Sequence, residues 1–281
     1  MPQPPGYGDF INIQGLKIHV WEAGKGEPII LIHGFMSMAY DWRFNMAELS
    51  RQFAVYALDL PGFSYSDKPL DFGYTTAAYS RLVLDYMDAR NIKSAILAGN
   101  SLGGQVALQA GLMQPDRVGG LVLIDLGGYP GSVGFLPFKL LAVPLLGEMA
   151  MSLLNAGIVK MMLKTGIFYN AALAEDATVR GYCEVYKTVN ARKIPPMVMM
   201  GVSRDEARIS ASLGEIKCRS LIIWGAEDRV ISPHCAGMFA RDLPRASMLI
   251  VEKAGHMPQV ERPEAVNKAI ADFANGLKLQ R

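Results

Sequence analysis

Gly99–Asn100–Ser101–Leu102–Gly103 is the segment of this chain with the clearest chemistry. The apolar run SAILAGN (94–100) enters it, and a helix-like stretch over about 101–114 leaves it. A strand turning directly into a helix at such a pentapeptide lifts the serine hydroxyl to the mouth of a sheet. The turn is so tight that the positions two before and two after the serine must both be small. A free hydroxyl is a weak nucleophile and needs a base within hydrogen-bond reach. There are four histidines. His19 lies on an early strand and reads as structural. His33, in LIHGF, reads as a brace for its loop, and His234, after Pro233, reads as exposed. His256, in EKAGHMPQVERPE, occupies a glycine-preceded loop after the last strand and is the expected base. A carboxylate must then hold its tautomer and stabilise the imidazolium. Asp228, following LIIWG in WGAEDRVISP, is favoured. Its rivals are Glu227, read as a solvated turn charge, and Asp125 after LVLID, read as a residue fixing the junction with an inserted segment. Attack on a carbonyl builds negative charge on oxygen, which preorganised donors must meet. The N–H of Leu102, next to the nucleophile, and that of Phe35, in His33–Gly34–Phe35, are the expected pair.

These residues can meet only if the strands that carry them lie side by side. INIQG and LKIHVWEA (11–23) read as a hairpin turning at Gly15. PIILIHG (28–34), FAVYALDL (53–60), SAILAGN, LVLID (121–125), LIIWG (221–225) and SMLIVE (247–252) are short apolar runs of the kind buried parallel strands present. Segments 75–91, 101–114, 234–242 and 263–276 carry helical spacing. Such alternation predicts a mostly parallel sheet covered on both faces, with its chemistry at the carboxyl ends of the strands. From 128 to 205 the rhythm stops. That stretch is rich in Leu, Met, Ala and Gly and reads as helices in pieces. The expected organisation is a core of residues 1–127 and 206–281 interrupted by a helical cap over 128–205.

Half of the 281 residues are hydrophobic and the formal charge is +2, without a run of Lys or Arg. The chain is therefore long and apolar enough for a large core, and nucleic-acid binding has no electrostatic support. Cys183, Cys218 and Cys235 are scattered and odd in number, which argues against a disulfide framework and for a reducing, cytoplasmic location. MPQPPGYGDF lacks the basic start and apolar core of a secretion signal. No cluster of His, Cys or Asp has metal-ligand spacing and no dinucleotide motif is found, so neither metal nor cofactor is expected. The stretch 134–147 is broken by Pro137, Lys139 and Pro144 and is too short to span a bilayer. It reads as a buried cap helix, or as a lid touching a lipid surface transiently. The cap methionines either line an adaptable pocket or pack the cap's own core.

Five blocks, in order, resemble the α/β-hydrolase superfamily: HGF…W (33–42), DLPGFSYSDKP (59–69), GNSLGG (99–104), WGAEDRVISP (224–233) and GHMPQVERPE (255–264). The resemblance implies an α/β-hydrolase fold, a mostly parallel central sheet flanked by helices, with a helical cap insertion. The pattern is similar to capped bacterial carboxylesterases and lipases, including monoacylglycerol-lipase-like members, and to the meta-cleavage product hydrolases, which break carbon–carbon bonds in ring-fission products. Dehalogenases and epoxide hydrolases of this fold use aspartate where Ser101 stands. Residue 64 is Ser where such relatives usually have Gly. Ring-fission hydrolases usually carry Trp after the histidine and a glycine-rich stretch after HG. This chain has Met257 and Phe35–Met36–Ser37–Met38. Their cap also offers a basic residue to the substrate carboxylate, for which Arg180 or Arg192 is available. The expected activity is hydrolysis of small esters of hydrophobic acyl or aryl groups through an acyl-enzyme, with Asn100, Met36, Met38 and Met257 as substrate contacts. Carbon–carbon hydrolysis is the alternative and a non-hydrolytic ligand receptor a remoter one.

Overall fold

The computed structural model describes residues 8–277. The reading that the N-terminus carries no secretion signal rests largely on residues 1–7, outside those described. Eight strands, β1 (Gly8–Ile13), β2 (Leu16–Ala23), β3 (Pro28–Ile32), β4 (Ala54–Leu58), β5 (Ala95–Asn100), β6 (Val118–Ile124), β7 (Arg219–Gly225) and β8 (Ala246–Val251), form one sheet in the order β1-β2-β4-β3-β5-β6-β7-β8. β1 and β2 pair antiparallel, β2 pairs antiparallel with β4, and the remaining pairs are parallel. The opening hairpin turns through Gln14 and Gly15, both at positive φ (50° and 87°), as a two-residue hairpin loop matching the sheet twist requires.

The α-helices are α1 (Arg43–Leu49), α2 (Thr76–Ala89), α3 (Leu102–Met113), α4 (Leu136–Leu141), α5 (Leu146–Ser152), α6 (Ala156–Met162), α7 (Asp176–Glu184), α8 (Val189–Ala211), α9 (His234–Asp242), α10 (Pro258–Glu261) and α11 (Pro263–Asn275). Side chains alternate across a strand, so the central strands feed two cores. Ile30, Ile32, Leu97, Leu121 and Leu123 pack with α2 and α3. Ile29, Leu31, Ile96, Val122 and Ile124 pack with Trp42, Met46, Val266 and Ile270 beside α1 and α11. Being buried on both faces is why β3, β5 and β6 read as unbroken apolar runs. Ser64 takes φ +44°, the left-handed region that glycine enters without strain, which accounts for the glycine usual at this turn.

α4–α8 fill the interval between β6 and β7, joined to the core by an isolated bridge, Val133↔Ile231. The expected cap boundary at 205 falls inside α8, which leads the chain from the cap back towards β7 without a break. The 134–147 stretch is two-faced. Phe138 and Leu141 are buried, whereas Leu136 and Leu145 are 63% and 74% exposed. Met149, Leu153 and Met161 continue the exposed apolar surface. Among the described residues no single helix is long and apolar enough to cross a membrane.

Candidate active site

β5 ends at Asn100, and the chain reverses at Ser101, whose φ of +54° and ψ of −115° lie outside the ordinary regions for an L-residue. Contact forces this. A Cβ on Gly99 would lie 2.1 Å from Gly103 O, and one on Gly103 would lie 2.1 Å from Ile32 O. The Ser101 N–H donates to Ile124 O (2.8 Å), fixing the turn to β6. α3 starts immediately afterwards, so its first N–H groups have no carbonyl within their own helix.

His256 and Asp228 approach from the carboxyl ends of β8 and β7. Nδ1 of His256 is 2.8 Å from Oδ2 of Asp228. Oδ1 of Asp228 accepts the N–H groups of Val230 (2.7 Å) and Ile231 (3.1 Å). A carboxylate so engaged accepts a hydrogen bond from Nδ1–H and leaves Nε2 as the ring nitrogen with a free lone pair. The backbone of His256 is held from two sides. Its N–H donates to Ile167 O of the cap segment (2.8 Å), and its carbonyl accepts Nδ2 of Asn100 (3.0 Å). Glu261 completes this tie, accepting the N–H groups of Gly255 (2.6 Å) and Asn170 (2.8 Å). Among the described residues no hydrogen bond joins Ser101 Oγ to His256 Nε2, although both residues line one chamber. Such contacts are often long before substrate binds and tighten in the reactive complex.

The rival carboxylates have other partners. Glu227 accepts the Ala254 N–H (2.9 Å), so it clamps the loop before His256 and is not simply a solvated turn charge. Asp125 is buried, accepts the Gly225 N–H through Oδ1 (2.9 Å) and lies in one cluster with Asp228 and His256. Burial, and then the Asp228 charge, push its pKa well above the usual carboxylate range, which favours the protonated form. The other histidines also have settled positions. His33 accepts the Leu60 N–H at Nε2 (2.9 Å) and donates from Nδ1 to Gly34 O (2.8 Å), a neutral brace. His19 pairs with Asp59 (2.7 Å), and His234 is exposed.

Two cavities meet at Ser101. The larger has an empty volume of about 640 Å³; its walls include Met36, Ser37, Asn100, His256, Met257 and Tyr182. The smaller, about 420 Å³, lies across Phe35 and Phe138 and is walled by Leu102, Gln105, Glu206 and Ile231, among others. A side chain on Gly34 would come within 3.2 Å of Ser101 Cβ, so the loop carrying Phe35 runs directly beside Ser101. Met36 and Met257 face the larger chamber as expected. Met38 does not: it is buried in the main core, outside both cavities, because its residue caps a short helical turn over Ala39–Trp42. Asn100 borders the larger chamber, but its N–H groups are committed to His256 O and Ile124 O, so in this structure it holds the His256 loop. Neither Arg180 nor Arg192 lines either cavity at Ser101, and Arg192 is tied to the carbonyls of Tyr186 and Ser152.

A model of the alpha/beta hydrolase family matches residues 29–269. The chain belongs to that family. This alpha/beta hydrolase is 28% identical over 272 residues to the uncharacterized hydrolase YugF of Bacillus subtilis, covering 93% of this chain and 96% of that one. It is 29% identical over 274 residues to a 2-hydroxy-6-oxo-6-phenylhexa-2,4-dienoate hydrolase of Burkholderia cepacia, covering 95% of each. The crystal structure of Cfl2 from Burkholderia cenocepacia superposes with a TM-score of 0.87 at 26% identity and 97% coverage of both chains.

Glu206 gives the hydrolase a pH-dependent stability. Burial raises its pKa from 4.5 to about 7, opposed by a hydrogen bond from the Gly131 backbone. Between those two values the folded state retains a proton that the unfolded chain has released, so stability falls as pH rises from about 4.5 to 7 and then levels. Glu206→Gln removes the titration. Its melting temperature is expected to exceed wild type by about 4 °C at pH 8, from roughly 1–2 kcal/mol, and to match it at about pH 4. Equal melting at both pH values would place the Glu206 pKa in its ordinary range.

Proposed function

We propose that the chain is a serine esterase for neutral carboxylic esters, with Ser101 as nucleophile, His256 as base and Asp228 as its orienting carboxylate. Ser101 Oγ attacks the ester carbonyl as His256 Nε2 takes its proton. The N–H groups of Phe35 and Leu102 receive the oxyanion. His256 returns the proton to the departing alcohol, and water then releases the acyl group by the same steps in reverse.

The observation that carries the ester reading over carbon–carbon cleavage is the charge of the larger chamber. Among the described residues it has no Lys or Arg in its walls, whereas a ring-fission product brings a carboxylate into the site. A desolvated carboxylate without a cation is costly, and a neutral ester avoids that cost. The likeness to a dienoate hydrolase supports carbon–carbon cleavage as the second reading. Nitrophenyl esters from acetate to laurate separate the two, assayed beside a yellow ring-fission dienoate. Turnover of the esters peaking at an intermediate chain length, with the dienoate colour persisting, is the expected result. Bleaching of the dienoate faster than release of nitrophenol from every ester would establish the second reading.

A further inference from the structure

One corner of the larger chamber is polar, and the hydrolytic steps make no use of it. Ser37 and Tyr182, both in the chamber wall, each donate their hydroxyl proton to the same carboxylate oxygen, Oδ2 of Asp41; the Tyr182 contact is 2.8 Å and the Ser37 contact shorter. Asp41 stands behind them, 4% exposed and not part of the wall. A hydroxyl whose only proton is already donated has lone pairs left to offer. Asp41 therefore turns the corner into a set of acceptors. Tyr186, 2% exposed in the same chamber, has a hydroxyl with no partner among the described residues, a state that buried polar groups rarely keep without a ligand or water. The chamber also contains His256, which must return its proton to the departing oxygen. The group released as alcohol consequently lies here, and the acyl group lies across Phe35 in the second cavity.

Building on the esterase reading, we propose that Asp41, through Ser37 and Tyr182, makes this a leaving-group site selective for alcohols that bear a neutral hydrogen-bond donor, and that it excludes carboxylates. Asp41 is a positioning residue; Ser37, Tyr182 and Tyr186 make the contact. A hydroxyl on the leaving group donates to the Ser37 or Tyr182 oxygen and accepts from Tyr186. A carboxylate meets lone pairs backed by an acid.

The test compares near-isosteric esters. 2-Hydroxyethyl hexanoate is expected to exceed propyl hexanoate in kcat/KM by about tenfold, the scale of one satisfied buried hydrogen bond. Tyr182→Phe and Ser37→Ala are each expected to bring that ratio down towards one. Asp41→Asn is expected to raise the relative rate on the carboxymethyl ester of hexanoic acid. If that buried substitution unfolds the protein, the Tyr182 and Ser37 ratios decide alone. A wild-type ratio near one, or a ratio unchanged in Tyr182→Phe and Ser37→Ala, overturns the proposal. So does a preference seen only when the hydroxyl sits on the acyl end, in propyl 6-hydroxyhexanoate against propyl heptanoate. Failure of wild type to hydrolyse any ester would sink the esterase reading instead. The selectivity is then read from binding of the two hexanoates to Ser101→Ala by saturation-transfer NMR. Tighter binding of the hydroxyethyl ester supports the selectivity and equal binding overturns it.

Discussion

Ser101→Ala is expected to lose about 10⁵–10⁶ in kcat on its best nitrophenyl ester, the scale seen when the nucleophile of such a site is removed, while melting within a few degrees of wild type. The chemical loss follows because Ser101 stands on the tight turn after β5, directly beside the Gly34–Phe35 loop. The stability is unaffected because the turn is held by backbone contacts, the Ser101 N–H to Ile124 O and the Gly99–Gly103 approach, none of which needs the hydroxyl. Mass spectrometry of intact protein after a pulse of ester supplies the second readout. Wild type gains one acyl group and the variant none. Retention of more than a tenth of the activity by a folded Ser101→Ala protein would move the nucleophile elsewhere.

Asp228→Asn is expected to cost about 10⁴ in kcat, the loss that follows when the orienting carboxylate becomes an amide and the histidine tautomer reverses. The carboxamide introduced at this position could still accept the Val230 and Ile231 N–H groups through its carbonyl oxygen. It would then turn an amide N–H towards Nδ1 of His256, and Nε2 would carry the proton that it must instead accept. Asp125→Asn makes a sharp contrast, with activity expected within about tenfold of wild type. Burial and the neighbouring Asp228 charge raise the Asp125 pKa, and a primary amide in its place can still accept the Gly225 N–H with its oxygen. The two variants share burial and change in volume, so steady-state kinetics on both isolates the carboxylate charge. An inactive Asp125→Asn with a near-normal Asp228→Asn would transfer the orienting role to Asp125.

The sequence made the elements that position the site readable because they are local and strongly patterned. The runs PIILI, AILAG and LVLI are apolar throughout since both their faces are covered, and each lies in a strand. The elbow is written in two glycines that contact alone demands. What could not be read depends on residues far apart in the chain. Ser37 and Asp41 look like ordinary loop residues until Tyr182, 141 positions after Asp41, closes on them. Asn100 reads as a substrate contact because it precedes the serine, yet its amide reaches the His256 carbonyl, 156 positions away. Met38 follows Met36 in sequence but turns the other way, since the reversal at Met36, φ 54°, precedes a helical turn that drives Met38 inwards. The first helix, α1, escaped notice because seven residues carry too few turns for a period to show.

The order in which the strands join the sheet has a consequence for how the protein is made. Ser101 and the N–H groups proposed to receive the oxyanion follow β3 and β5, whose partners in the sheet, β4 and β6, are encoded in the first half of the chain. His256 follows β8, which pairs only with β7 at the sheet's edge, and is steadied by Ile167 and Glu261. On the proposed roles of Ser101 and His256, a partly synthesised chain can thus complete the turn at Ser101 and still be chemically silent until β8 leaves the ribosome and docks. The same edge placement makes recovery of hydrolysis during refolding a report on the last event of assembly rather than the first.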